Sequence, residues 1–239
     1  MIFLDPAARL VIGHRGASGE FPENTLLAFE QALTQGADGL ELDVRLARDG
    51  AVVVIHDPTV DRTTSGSGAV AAHALAELRT LDAGRGEKVP TLDEVLERFP
   101  TTPIILELKE VGVAEPAARC LARHAAAGRV LVGSFEGAAL APFAPPAWHR
   151  SASRRETGLA WLLSRVGLGV PGPCEAFTVP ERHGRLHIVD ARFVDAARRA
   201  GRPVHAWTVN EVEQARRLRM LGVSGLITNY PARMKALDA

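Results

Sequence analysis

Short apolar runs suited to β-strands alternate with helical patterns along nearly the whole 239-residue chain. That alternation restricts the fold more than any other feature. Strands are expected at residues 9–13, 39–46, 51–56, 104–109, 130–135, 176–179, 204–208 and 225–228, with another near 148–151 in a stretch rich in Pro, Arg and Ser. A helix is expected from about Thr25, capped by Asn24 and ended by Gly36, with Leu26, Phe29 and Leu33 on one face. Further helices are expected at 91–99, 115–127, 191–200 and 211–221. Thr91 with Glu94 and Asn210 with Glu213 form capping boxes at two of their starts. Repeated strand–helix units in this number favour a closed parallel α/β barrel of the TIM (β/α)8 type over an open sheet. No repeat and no domain-scale linker interrupts residues 1–239, which read as a single barrel domain.

One junction departs from the pattern. The strands around Asp43 and His56 are separated by a few residues containing Asp49-Gly50, too few for a crossover helix. Asp-Gly is a two-residue hairpin signal. With Asp49 and Gly50 as the turn, Arg48 pairs with Ala51 and Asp43 lies opposite His56. The barrel is therefore expected to be irregular near its second and third strands.

Composition removes several classes of function. Lys+Arg and Asp+Glu balance at 28 each, so no field attracts nucleic acid or anionic membranes. No apolar run is long enough for a membrane span, and MIFLDPAARL lacks the layout of a signal peptide. Cys120 and Cys174 stand in no metal-ligand spacing and are expected to be reduced, which points to the cytoplasm. The nearly even polarity shows no amphipathic docking helix, so stable membrane association is not expected.

In a barrel of this type, function gathers at the C-terminal ends of the strands, and so do the polar residues here. Glu41-Leu42-Asp43 places two carboxylates on one side of a strand. Buried together they repel, and a hard divalent ion such as Mg²⁺ or Ca²⁺ relieves that repulsion. Arginine partners would do the same. Glu107-Leu108-Lys109 repeats the spacing with one sign changed. Glu107 is a candidate third carboxylate, and Lys109 either meets an anionic substrate or neutralises Glu107. His14 and His56 are candidates for proton transfer, since imidazole both accepts and donates near neutral pH. Arg15 offers a planar fork of donors for a phosphate and could equally pair with Glu23 or Asp43. Trp207 and Phe135 are weaker candidates for a pocket wall. Residues 63–68, TTSGSG, read as a solvent loop at the catalytic end. His183 and His187 read as surface residues.

In order, HRGASGEFPENTLLAFEQAL, GADGLELDVRLARDGAVVVIHD, VPTLDEVLE, LELK, HAWTVN and GLITNYP resemble the glycerophosphodiester phosphodiesterase family across nearly the whole chain. The resemblance implies a phosphatidylinositol-phospholipase-C-like TIM barrel. It also implies hydrolysis of glycerophosphodiesters, such as glycerophosphocholine and glycerophosphoethanolamine, to glycerol 3-phosphate and an alcohol. His14 and His56 would then be the acid/base pair, Glu41, Asp43 and Glu107 the ligands of one divalent ion, and Arg15 and Lys109 the phosphate contacts. The segment 57–90 is short, as in small bacterial cytosolic members, and the protein is expected as a monomer or homodimer. Ser224 and Asn229 stand where acidic residues are common, and neither is expected to touch the ion or the proton-transfer residues. Two alternatives remain: hydrolysis of lysophospholipids at the same site, which requires an apolar channel, and a non-catalytic barrel that binds a phosphate ligand.

Overall fold

The computed structural model describes residues 1–237. Strands β1 (Leu10–His14), β2 (Gly39–Leu46), β3 (Val52–Val54), β4 (Ile104–Leu108), β5 (Val130–Gly133) and β6 (His149–Arg150) are interleaved with helices α1 (Leu26–Thr34), α2 (Leu75–Leu78), α3 (Leu92–Arg98) and α4 (Ala114–Arg123). The second half holds α5 (Arg154–Arg165), β7 (Phe177–Pro180), β8 (Arg182–His183), β9 (Leu186–His187), α6 (Ala191–Arg199), β10 (Val204–Trp207), α7 (Val212–Met220), β11 (Gly225–Thr228) and α8 (Pro231–Lys235). Parallel pairing runs β6-β5-β4-β2-β1-β11-β10-β7, and a parallel bridge between Ser151 and Ala176 joins the two ends. The sheet is thus the closed TIM-type barrel expected from the alternation.

The two-residue pleat sorts the strand side chains. Leu40, Leu42 and Val44 of β2 point outward into the core beneath α1, α3 and α4, as do Ile104, Leu106 and Leu108 of β4. Ile12, Ile105, Leu131, Ala176 and Ile227 point inward and fill the barrel. The N-terminal segment plugs the lower end: Phe3 is fully buried, and its carbonyl meets His205 Nε2 at 2.9 Å. Gly225 is required there, because a Cβ would collide with the His205 ring. The inward positions one or two steps further along β1, β2 and β4 are His14, Glu41, Asp43 and Glu107, so the alternation that packs the barrel also delivers the polar cluster to its upper mouth.

The irregularity falls where expected, with β3 antiparallel to β2, but the register differs by one residue. Val44 pairs with Val54 and Leu46 with Val52. Ala47 then pairs with Ala51, through a 2.9 Å hydrogen bond from the Ala47 amide, and Asp43 faces Ile55, not His56. The turn has three residues. Gly50 adopts φ +83° in the left-handed region, completing the turn-plus-bulge form of a three-residue hairpin.

Two caps are also reassigned. Asn24 sits at φ +57°, incompatible with an extended N-cap, so Thr25 caps α1 and accepts a hydrogen bond from the Ala28 amide. Asn210 does not cap α7, whose N-cap is Glu211. Its side chain instead accepts hydrogen bonds from the Asn229 amide and the Thr228 hydroxyl. The Thr91/Glu94 box forms as expected. The 57–90 segment packs against β3, burying Val60, Val70, Leu78 and Val89 beside Val53 and Ile55.

Candidate active site

His14 ends β1 and Glu41 lies across from it on β2 in direct register. Glu107 on β4 is in register with Asp43. One carboxylate oxygen from each of Glu41, Asp43 and Glu107 lies within 4.8 Å of the others, an all-oxygen donor set able to hold a hard divalent cation. Burial, then the charges of Asp43 and Glu107, push the Glu41 pKa well above the usual carboxylate range. Burial and then the charge of Asp43 raise the Glu107 pKa as well. Burial pushes Asp43 the same way, but Lys109, Arg15 and His56 outweigh it and hold its pKa below normal.

Asp43 is the hub of the cluster. Arg15 Nε lies 3.1 Å from one of its oxygens and Lys109 Nζ 3.4 Å from the other. Asn24 Nδ2 donates to it at 3.0 Å, which is the work of the side chain expected to cap α1. Lys109 also donates to Glu107 at 3.0 Å, so in the protein alone it neutralises carboxylates. Arg15 reaches Glu23 at 2.9 Å while keeping its contact with Asp43, so both of its anticipated partners are engaged.

Each histidine is anchored through Nδ1. His14 Nδ1 donates to Asn229 Oδ1 at 2.7 Å, and its Nε2 lies 3.9 Å from Glu41. An amide oxygen only accepts, so this contact fixes the Nδ1–H tautomer and leaves the Nε2 lone pair free. Burial and then Arg15 lower the His14 pKa to about 4. Asn229 therefore does touch a proposed proton-transfer residue, contrary to expectation. Ser224 lies at the opposite end of the barrel, donating to the Pro6 carbonyl. His56 Nδ1 meets Asp57 at 2.6 Å, and Arg45 donates to the His56 carbonyl at 2.9 Å. Asp57 accepts from Arg62 at 2.6 Å, and Arg62 continues to Glu23, closing a chain of charges from His56 to Arg15. Sequence reading missed Asn24, Asp57 and Arg62 as site residues. Only Asp57, next to His56, carried a local signal.

Above the cluster opens a cavity of about 610 Å³ lined by His14, Arg15, Glu41, His56, Glu107 and Lys109 at its base. Phe135 and Trp207 also line it, their rings edge-to-face at 5.9 Å. Trp207 also packs on the apolar barrel filling. His183 and His187 are exposed on the β8–β9 hairpin.

Barrel, acidic cluster and cation-lined cavity together define a phosphoric diester hydrolase. The chain belongs to the glycerophosphoryl diester phosphodiesterase family, whose model matches residues 14–141 and 159–233. It is 35% identical over 240 residues to a glycerophosphodiester phosphodiesterase of Caldanaerobacter subterraneus, covering 93% of this chain and 94% of that one. An Oleispira antarctica phosphodiesterase solved with the product sn-glycerol-3-phosphate superposes with a TM-score of 0.82 at 29% identity, covering 97% and 98% of the two chains. The glycerophosphoryl diester phosphodiesterase domain of a Mycobacterium tuberculosis protein shares the fold with a TM-score of 0.86 at 22% identity, covering 97% and 100%.

Proposed function

We propose that this protein is a single-barrel, metal-dependent enzyme that hydrolyses glycerophosphodiesters to glycerol 3-phosphate and an alcohol. The observation that carries this reading is the convergence of Glu41, Asp43 and Glu107 beneath two histidines whose Nε2 atoms are left free. These three carboxylates would hold one Mg²⁺ or Ca²⁺, which supplies charge neutralisation at the phosphoryl oxygens when bound. Arg15, already fixed by Glu23 and Asp43, presents its remaining donors to the phosphate. Lys109 faces the same cavity.

His14 is held neutral by burial and by Arg15, so its Nε2 is suited to accept a proton from the nucleophile, water or the glycerol 2-hydroxyl. His56 is backed by the Asp57 carboxylate, which stabilises its imidazolium and suits it to protonate the departing alkoxide. Phe135 and Trp207 form the wall against which the glycerol or alcohol portion rests. A cytoplasmic enzyme acting on a small diester fits this reading, and among the described residues no helix is long and apolar enough to cross a membrane.

The test is turnover of glycerophosphocholine and glycerophosphoethanolamine with each ion in turn. His14→Ala and His56→Ala should each lower kcat by about two or more orders of magnitude while leaving the fold intact. Near wild-type turnover by either variant, or full activity after EDTA stripping, would refute the assignment.

A further inference from the structure

Among the described residues, a second group of metal-ligating side chains lies outside the barrel, where α3 meets α4. Asp93 stands in the first turn of α3, and Cys120 and His124 stand one turn apart at the end of α4. The His124 amide donates to the Cys120 carbonyl at 3.3 Å, so helical spacing holds through His124 and both side chains share one face. Asp93 Oδ1 accepts from His124 Nε2 at 2.7 Å and from Cys120 Sγ at 3.2 Å. Glu97, one turn beyond Asp93 on α3, is near enough for its charge to act on Cys120. Each helix therefore presents a pair of potential ligands, four residues apart, to the other. Cys120 has no ligand spacing toward Cys174. The set is gathered only by the packing of two helices, through contacts between residues 27 and 31 positions apart.

The donor chemistry differs from that of the barrel mouth. Three carboxylates suit a hard ion, whereas a thiolate, an imidazole and a carboxylate suit Zn²⁺. In a tetrahedral zinc site such ligand atoms stand about 3.3–3.6 Å apart. The sulfur–oxygen and nitrogen–oxygen contacts of 3.2 and 2.7 Å need open by only about half an ångström to reach that geometry. Cys120 is buried, so its sulfur is held by packing, while Asp93 and His124 reach solvent and give an ion a way in. Positive charge already gathers there, since Arg123 Nη2 holds both oxygens of Asp93 at 2.8 Å. That ion pair is exposed on both sides and contributes little, so a divalent ion can displace it.

We infer that Asp93, Cys120 and His124 form a second metal site, one that takes Zn²⁺ and clamps α3 to α4, with Glu97 completing the donor set. The site stands independently of the hydrolytic reading under Proposed function. Its place in the fold gives it a structural task. Val95 and Leu96 of α3 and Ala117 and Leu121 of α4 share one core with Ile104, Leu106 and Leu108, the outward side chains of β4. The ion fastens the helix pair that backs the strand carrying Glu107. In the protein alone, burial and then Asp93 keep Cys120 a thiol, with its pKa pushed up to about 12. On binding, that thiol proton passes to solvent and the sulfur bonds the ion. The His124 ring turns the Nε2 lone pair to the ion, its proton passing through water to Nδ1. Arg123 swings out to solvent, and no oxidation state changes.

The experiment titrates Co²⁺ into the reduced full-length protein with Mg²⁺ in excess, and then displaces it with Zn²⁺. A bond from cobalt to a thiolate gives a near-ultraviolet charge-transfer band that carboxylate ligands do not give, so the band reports cysteine ligation alone. The wild type develops the band to saturation at one equivalent, and Zn²⁺ abolishes it. Cys174→Ser keeps the band and Cys120→Ser loses it. Because Cys120 is buried, two variants at solvent-reaching positions supply a second measurement. His124→Ala and Asp93→Asn each weaken Zn²⁺ binding by more than about tenfold in calorimetry, since even an outer-shell partner is worth that much. Arg123→Gln removes the competitor for Asp93 and tightens Zn²⁺ binding, an effect that a mere hydrogen-bond network between the helices would not produce. A wild type without the thiolate band would overturn the inference. So would a band that follows Cys174, or Zn²⁺ affinity unchanged in both His124→Ala and Asp93→Asn, which would mark an adventitious contact of the metal with a thiol.

Discussion

Replacing Asp57 by Asn isolates the electrostatic part of the His56 arrangement. Asp57 is charged throughout the working pH range, because hydrogen bonds from Arg62 and then from His56 hold its pKa far below normal. An asparagine oxygen can still accept from His56 Nδ1, so the ring keeps its orientation and loses only the stabilisation of its imidazolium. A unit charge about 4 Å away at an effective dielectric near 20 contributes about 4 kcal/mol. Asp57 lies at the rim and shares its charge with Arg62, which reduces the effect to about 1.5–3 kcal/mol. That corresponds to a loss of about 10- to 160-fold in kcat. The assay is steady-state release of glycerol 3-phosphate from glycerophosphocholine, with a circular-dichroism melt to confirm folding. Arg62→Gln is the control: it removes the partner of Asp57 but leaves the Asp57–His56 contact, and it should cost less than D57N. A folded D57N enzyme with kcat within twofold of wild type would refute the role given to His56. So would equal losses in the two variants.

Other outcomes follow from the same geometry. Mg²⁺ or Ca²⁺ should raise the melting temperature of the wild type by several degrees at concentrations well above the dissociation constant, and Glu41→Gln should abolish the shift; an equal shift in the variant would move the ion elsewhere. Gly225→Ala forces a Cβ against the buried His205 ring and should destabilise the fold by about 1–3 kcal/mol in urea titration; an unchanged midpoint would show that the lower barrel relaxes. Glu156 has its pKa depressed to about 2, chiefly by Arg150, so its stabilisation is present above the unfolded value of 4.5 and is lost as pH falls toward 2. After allowance for solvent screening this amounts to about 1 kcal/mol, and Glu156→Gln, which retains the capping box, should show a correspondingly weaker loss of stability between pH 5 and 2.5.

The strands and the polar cluster were readable because one rule, the two-residue pleat, governs both burial and convergence. It separated Leu42 from Glu41 and Asp43, and Leu108 from Glu107. The hairpin register was not readable to the residue, because Asp49-Gly50 suits both a two-residue turn and the last two positions of a three-residue one. Helix α5 was obscured by the prolines and glycine around it, although Ser153-Arg154-Arg155-Glu156 is a capping-box signal. Asn24 was misread because asparagine both caps helices and tolerates left-handed backbone, and only the folded chain shows the second. The contacts Arg62–Glu23 and His14–Asn229 join residues 39 and 215 positions apart, so no local pattern could announce them.

The charge balance of the mouth explains how such a cluster is tolerated in the folded chain. Three converging carboxylates would be costly alone, but Lys109 spans Asp43 and Glu107, Arg15 and Asn24 hold Asp43, and burial favours the protonated form of Glu41. The cluster is thus partly compensated by the chain's own side chains. An ion that enters must compete with Lys109 for Asp43 and Glu107. Arg15 need not move, because Glu23 secures it from the other side, so the phosphate contact proposed for it would be organised before an ion binds.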